Sequence, residues 1–113
     1  MQGQVQSLIE SKPVIMFSKS YCPFCVQAKG LMQQSGIQYH VVEMDKIPNG
    51  GEMQAALKEI SGQRTVPNTY INKIHIGGCD DLTAKVQNGT VKQICQDAGI
   101  ECKLWFTYFS FKL

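Results

Sequence analysis

The chain has 113 residues, 43% of them hydrophobic and 18% charged, with a formal net charge of +2. That length suits one domain with its own core, and the composition excludes a disordered tail, a fibrous repeat and a coiled coil. The lysines are scattered without a basic stripe, which argues against a nucleic-acid partner.

Met1 to Glu10 alternates Gln with Val5, Leu8 and Ile9 and lacks both a basic leader and a long apolar run. It reads as the start of a mature, unexported chain. Val5, Leu8 and Ile9 stand at i, i+3 and i+4, which predicts a short amphipathic helix that stops near Lys12 because Pro13 follows. Val14 to Phe17 reads as a buried strand, Ser18 to Tyr21 as a polar loop, and Pro23 opens a helix ending near Gly36. Ile37 to Met44 reads as a second strand, and Pro48-Asn49-Gly50-Gly51 breaks the chain. Met53, Ala56, Leu57 and Ile60 then have helical spacing, with Gly62 placed to cap.

Thr69 to Ile71 and Ile74 to Ile76 predict a tight hairpin turning at Asn72-Lys73, although the favoured Asn-Gly is absent. After Gly77-Gly78, Asp80 or Asp81 is placed to cap a third core helix. Asn88-Gly89 separates it from a last helix, for which Thr90 with Gln93 reads as a capping box. The order of elements is helix, strand, helix, strand, helix, strand, strand, helix, helix. It implies an α/β fold on a mixed sheet: a parallel βαβ half followed by an antiparallel hairpin.

One domain is assigned to residues 1–100, and residues 101–113 form an aromatic tail. Trp105, Phe106, Tyr108, Phe109 and Phe111 supply half of the chain's aromatic residues. The tail is too short to cross a bilayer as a helix and follows neither a two-residue nor a 3.6-residue period. Three readings stay open for it: a strand or flap over the core, a segment that pairs with another chain, or a non-native extension.

Five cysteines are an odd count, and two of them form Cys22-Pro23-Phe24-Cys25. In a chain without an export signal that pattern points to redox chemistry in a reducing, cytoplasmic compartment before a structural disulfide framework. A thiol must be ionised to attack a disulfide, and a free thiol with a pKa of about 8.5 is mostly protonated at neutral pH. A helix N-terminus favours the anion through its dipole and unpaired N–H groups, by up to ~2 kcal/mol when partly buried. Cys22 is therefore the nucleophile, with Lys19 as the candidate nearby cation, and Cys25, one turn further in, is the resolving thiol. Half of a zinc site is the competing reading, but no second Cys-x-x-Cys or paired His accompanies it, so no metal is expected. Cys95 lies on an apolar helical stripe and reads as core. Cys102 has no motif around it, and His40 and His75 lack the spacing of ligands.

Three segments carry a family resemblance: Ser18-Lys19-Ser20-Tyr21-Cys22-Pro23-Phe24-Cys25, Gln63-Arg64-Thr65-Val66-Pro67 and Gly77-Gly78-Cys79-Asp80-Asp81-Leu82. In that order and at those separations they resemble the dithiol glutaredoxins, over about Val5 to Gly99. The resemblance implies a thioredoxin fold, with a four-stranded mixed sheet flanked by helices. It implies glutathione as co-substrate, with Thr65, Val66 and a cis Pro67 beside the active thiol, and with the Val66 backbone pairing with the tripeptide as an added strand. By the same resemblance Lys19, Gln63 and Arg64 face the glycine carboxylate, Asp80 and Asp81 meet the γ-glutamyl end, and Phe24 borders the groove where tyrosine is usual. Cys79 belongs to the groove motif, where backbone or structural contact outweighs reactivity.

The implied activity is glutathione-dependent reduction of protein–glutathione mixed disulfides and of protein disulfides by a monomer, with glutathione reductase acting indirectly through glutathione. Two rivals stand beside it. A thioredoxin resembles Trp-Cys-Gly-Pro-Cys, whereas here Tyr21 precedes Cys22 and proline follows it. An iron–sulfur cluster carrier mostly has glycine or serine where Pro23 stands, and proline's fixed φ opposes the loop change that a cluster requires.

Overall fold

The computed structural model describes residues 1–103. Of the expected tail over 101–113, residues 104–113 lie outside the described residues. The elements run α1 (Gln2–Ser11), β1 (Val14–Ser18), α2 (Pro23–Gln34), β2 (His40–Glu43), a 3₁₀ turn (Met44–Lys46), α3 (Gly50–Ser61), β3 (Asn68–Ile71), β4 (Ile74–Gly77), α4 (Cys79–Gln87) and α5 (Thr90–Ala98). The sheet order is β2-β1-β3-β4, with β1 parallel to β2 and antiparallel to β3, and β3 antiparallel to β4. This is the four-stranded mixed sheet and thioredoxin fold expected.

Alternation along β1 divides the core. Ile15 and Phe17 pack with Val5 and Ile9 of α1 and Met53, Ala56 and Leu57 of α3. Val14 and Met16 pack with Ala28 and Met32 of α2, Leu82 and Val86 of α4, and Val91 and Cys95 of α5. Both faces of the sheet are thus covered, which is why all five residues of β1 are buried. Each fully buried aliphatic side chain in these layers contributes about 1.5–3 kcal/mol.

Several boundaries differ from expectation, each for a non-local reason. β2 begins at His40 rather than Ile37, because the Ile37 N–H closes the end of α2 on the Met32 carbonyl at 3.1 Å after Gly36 turns at φ 67°. Gly50-Gly51 do not break the chain; they start α3. Neither Asp80 nor Asp81 caps α4: Gly78 holds the cap position, and both aspartates lie in the first turn, where their charge complements the helix dipole. The Thr90/Gln93 capping box does not form. Asn88 Oδ1 accepts from the Thr90 N–H at 2.9 Å, and the Gln93 amide reaches Asp97 instead. The hairpin does turn at Asn72-Lys73, with positive φ at both, 50° and 66°, as a type I′ turn requires.

The loop from Gln63 to Asn68 is held by a polar network. The Gln63 side-chain amide donates to the Thr65 and Pro67 carbonyls, each at 3.0 Å. His75 Nε2 lies 3.1 Å from Gln63 Oε1 and 2.9 Å from Asn68 Oδ1. Two acceptors facing one ring nitrogen require that nitrogen to carry the proton. Burial pushes the His75 pKa below its ordinary 6.5; Lys85 adds to this and Asp81 opposes it.

Two predictions follow from these contacts. A Cβ on Gly50 would stand 1.8 Å from the Met44 carbonyl oxygen, whereas one on Gly51 meets open space. Gly50→Ala is expected to cost about 3 kcal/mol or more, and Gly51→Ala to gain about 0.5 kcal/mol, both read by urea denaturation. For His75, neutral in folded and unfolded chains above its ordinary 6.5, acidification protonates the unfolded chain first. Stability is therefore lost as pH falls from there through the lower folded value. Unfolding midpoints measured from neutral to about pH 5 should drop, and His75→Phe should flatten that part of the curve.

Candidate active site

Cys22 is the N-cap of α2, with extended backbone at φ −85° and ψ 119°, and Pro23 takes the first helical position, where its missing N–H costs nothing. Cys22 Sγ accepts from the Cys25 N–H at 3.4 Å, and the Cys22 N–H donates to the Lys19 carbonyl at 3.1 Å. The sulfur therefore sits at the positive end of the helix with a backbone donor aimed at it, an arrangement that stabilises negative charge there. It is half-exposed and free.

Cys25 is fully buried. Burial pushes its thiol pKa above the usual 9.0; hydrogen bonds from the Lys19 backbone and the Ser18 side chain pull the other way, and the neighbouring Cys22 adds to the rise. A single helical turn thus separates an accessible sulfur from one held as a protonated thiol at neutral pH. The loop before Cys22 is pinned from outside: the Ser20 N–H donates to Asp45 at 2.9 Å and its hydroxyl binds the same carboxylate. That pair holds the Asp45 carboxyl below its ordinary pKa.

Across from the helix start, the Val66–Pro67 peptide bond is cis and the Val66 carbonyl lies 3.9 Å from Cys22 Sγ. A cavity of about 470 Å³ opens beside it, lined by Phe24, Gln63, Thr65, Val66, Pro67, Gly78, Cys79, Asp80 and Asp81. That volume falls within the range of small-molecule sites. Phe24 is 58% exposed, so its ring forms a rim and not core. Asp80 and Asp81 are both exposed in the first turn of α4.

Lys19 and Arg64 do not line this cavity. Lys19 is half-buried and Arg64 exposed, and the Arg64 carbonyl accepts from the Gln54 side chain at 2.8 Å. Gln63 lines the cavity, yet both donors of its amide are taken by the carbonyls of Thr65 and Pro67, so it braces the loop. Cys79 donates to Gln27 Oε1 at 3.5 Å, and burial raises its pKa, which makes it a poor nucleophile. Among the described residues no group of three His, Cys, Asp or Glu is placed to hold a metal ion.

Sequence reasoning missed Ser20, Asp45, Asn68 and the bracing use of His75. The one sign of Asn68 was an amide side chain directly after Pro67, at the start of a strand. It is fully buried, and a buried amide must find partners.

Residues 14–76 match the family model described as Glutaredoxin. The chain is 47% identical over 96 residues to a glutaredoxin of Ricinus communis, covering 85% of this chain and 94% of that protein. It is 46% identical over 97 residues to Glutaredoxin-C6 of Oryza sativa subsp. japonica, covering 86% and 87% respectively. Among solved structures, a buckwheat glutaredoxin–glutathione complex superposes with a TM-score of 0.83 at 40% identity, covering 87% of this chain and 89% of that one. With the thiol pair at the start of α2, the cis Val66–Pro67 loop opposite it and these relatives matching over most of its length, the chain belongs to the glutaredoxin family.

Proposed function

We infer that this protein is a glutathione-dependent thiol–disulfide oxidoreductase that reduces protein–glutathione mixed disulfides through Cys22. The observation that carries the reading is the placing of Cys22 Sγ, on the start of α2 and 3.9 Å from the Val66 carbonyl, beside a tripeptide-sized cavity. Cys22 thiolate attacks the glutathione sulfur of the mixed disulfide, the protein thiolate leaves, and glutathione stays on Cys22. A second glutathione attacks that bond, freeing Cys22 and releasing glutathione disulfide, which glutathione reductase returns to the pool. For protein disulfides, Cys25 attacks the mixed disulfide on Cys22 and closes an intramolecular disulfide that glutathione reduces.

Cavity residues orient the glutathione half, so that its sulfur is the one in line with Cys22 and the protein half is the leaving group. The Val66 backbone pairs with the cysteinyl unit as an added strand. Asp80 and Asp81, with the N–H groups opening α4, meet the amine and carboxylate of the γ-glutamyl end. Lys19 and Arg64 reach the glycine carboxylate from outside the cavity lining. Only the glutathione half is recognised in this scheme, so the protein clients are diverse. The working unit is the monomer, and the compartment is the cytoplasm, where glutathione is held reduced. The cluster-carrier alternative gains no support, since Pro23 fixes the first turn of α2.

The test is the rate of glutathione-dependent reduction of a glutathionylated peptide, coupled to glutathione reductase. Cys22→Ser should fall to the uncatalysed rate. Cys25→Ser should keep this activity and lose reduction of protein disulfides, and turnover persisting in Cys22→Ser would overturn the assignment. Replacing both Asp80 and Asp81 with Asn should raise KM for the glutathionylated peptide about tenfold, about 1.4 kcal/mol, with kcat little changed. An unchanged KM would remove these carboxylates from the binding scheme.

A further inference from the structure

A second pair of thiols shares one core layer away from the groove. α5 ends at Ala98, Gly99 turns the chain at φ 70°, and the Ile100 N–H returns to the Cys95 carbonyl at 2.8 Å. The reversal brings Cys102 back over the helix, where it packs against the core layer that holds Cys95. Cys95 is fully buried in the core layer made by α2, α4 and α5, and Cys102 packs against the same layer, half-exposed. The next residue fixes the segment in place: the Lys103 N–H donates to the Ser35 carbonyl at 2.6 Å, and its side-chain stem lies against Gly36, where a Cβ would come within 2.7 Å.

We propose that Cys95 and Cys102 are a second redox site, oxidised by glutathione disulfide to an intramolecular disulfide that staples the segment after α5 to that helix. Ser35 stands at the far end of α2 from Cys22, about 18 Å along a helix of 12 residues, so this pair is not an extension of the catalytic dithiol. The inference does not depend on the role given to Cys22.

Cys102 is the point of entry because it is the more exposed of the two. Its thiolate attacks one sulfur of glutathione disulfide, forming a mixed disulfide and expelling one glutathione. Cys95 thiolate then attacks Cys102 Sγ, forming the Cys95–Cys102 bond and expelling the second glutathione. Two electrons pass from the cysteines to glutathione disulfide, and the two thiol protons end on the two glutathiones released. The second step is the slow one, since burial, together with Cys102 beside it, pushes the Cys95 pKa up to about 12. Holding both residues in one packed layer offsets that scarcity of thiolate, because the attack is intramolecular.

The full-length reduced protein is incubated with glutathione disulfide, quenched with acid, unfolded, alkylated and digested with trypsin. Cleavage after Lys92 and Lys103 isolates Cys95 and Cys102 in one peptide without other cysteines, and cleavage after Lys19 and Lys29 does the same for Cys22 and Cys25. The expected result is a 93–103 peptide two hydrogens lighter and carrying no alkyl group. Two alkyl groups on that peptide, or glutathione on Cys102 with an alkyl group on Cys95, overturns the proposal. As a second readout, oxidation should raise the melting temperature of the parent chain by several degrees more than that of Cys102→Ser. Equal rises in the two overturn the stapling.

Discussion

A sulfur that has to carry negative charge in a groove needs donors that do not move away. The start of an α-helix supplies them because its first amides have no partner inside the helix. In this glutaredoxin that requirement decides the spacing of the two thiols. Cys22 stands just outside α2 as its N-cap and receives the Cys25 N–H. Cys25 stands inside the first turn, fully buried, where charge is penalised. One helix start thereby leaves one sulfur accessible beside a backbone donor and holds the other as a buried, protonated thiol. Pro23 between them pins the turn that both depend on.

The rest of the site is delivered by strand register. β1 pairs antiparallel with β3 so that Phe17 faces Asn68, which sets the chain leaving β1 toward Cys22 next to the chain entering β3 from Pro67. The β3–β4 hairpin returns with Thr69 facing Gly77, which brings Gly78 and the start of α4 to the same end of the sheet. Three segments far apart in sequence therefore share one edge, and a slip of one residue in β1/β3 would turn every side chain of β3 to the other face. The Gln63–His75–Asn68 network then holds the middle segment, so that the Val66 carbonyl stays opposite the sulfur. Because that network joins the loop to β4, the hairpin acts as the loop's support as well as its neighbour.

Much of this was legible in the residues. The unbroken apolar run Val14 to Phe17, helical spacing from Met53 to Ile60 and the proline at position 23 are local signals, and each produced the element it predicts. So was the place of Cys22 at a helix start, because a Cys-x-x-Cys set after a strand and beside a proline puts one sulfur at a helix end. The elements that ran differently were decided by partners distant in sequence or by backbone geometry. Position 50, at the start of α3, requires glycine because the Met44 carbonyl occupies the space where a side chain would be. Gly78 takes the cap position of α4 that the aspartates suggested, and Asn88 displaces the Thr90/Gln93 box.

By itself, then, the sequence determined the order of elements, the mixed sheet and the place of Cys22-Pro23-Phe24-Cys25 at a helix start, since these depend on residues within a turn or a strand of one another. Only the tertiary structure decided what shares the groove. It left Lys19 and Arg64 outside the cavity lining, turned the Gln63 amide inward to brace its loop, and packed Cys102 on the core layer that holds Cys95. The physical reason is that hydrogen bonds and sulfur contacts act over a few ångströms of space. Which residues come that close is set by strand register and helix packing, and no window of neighbouring residues records it.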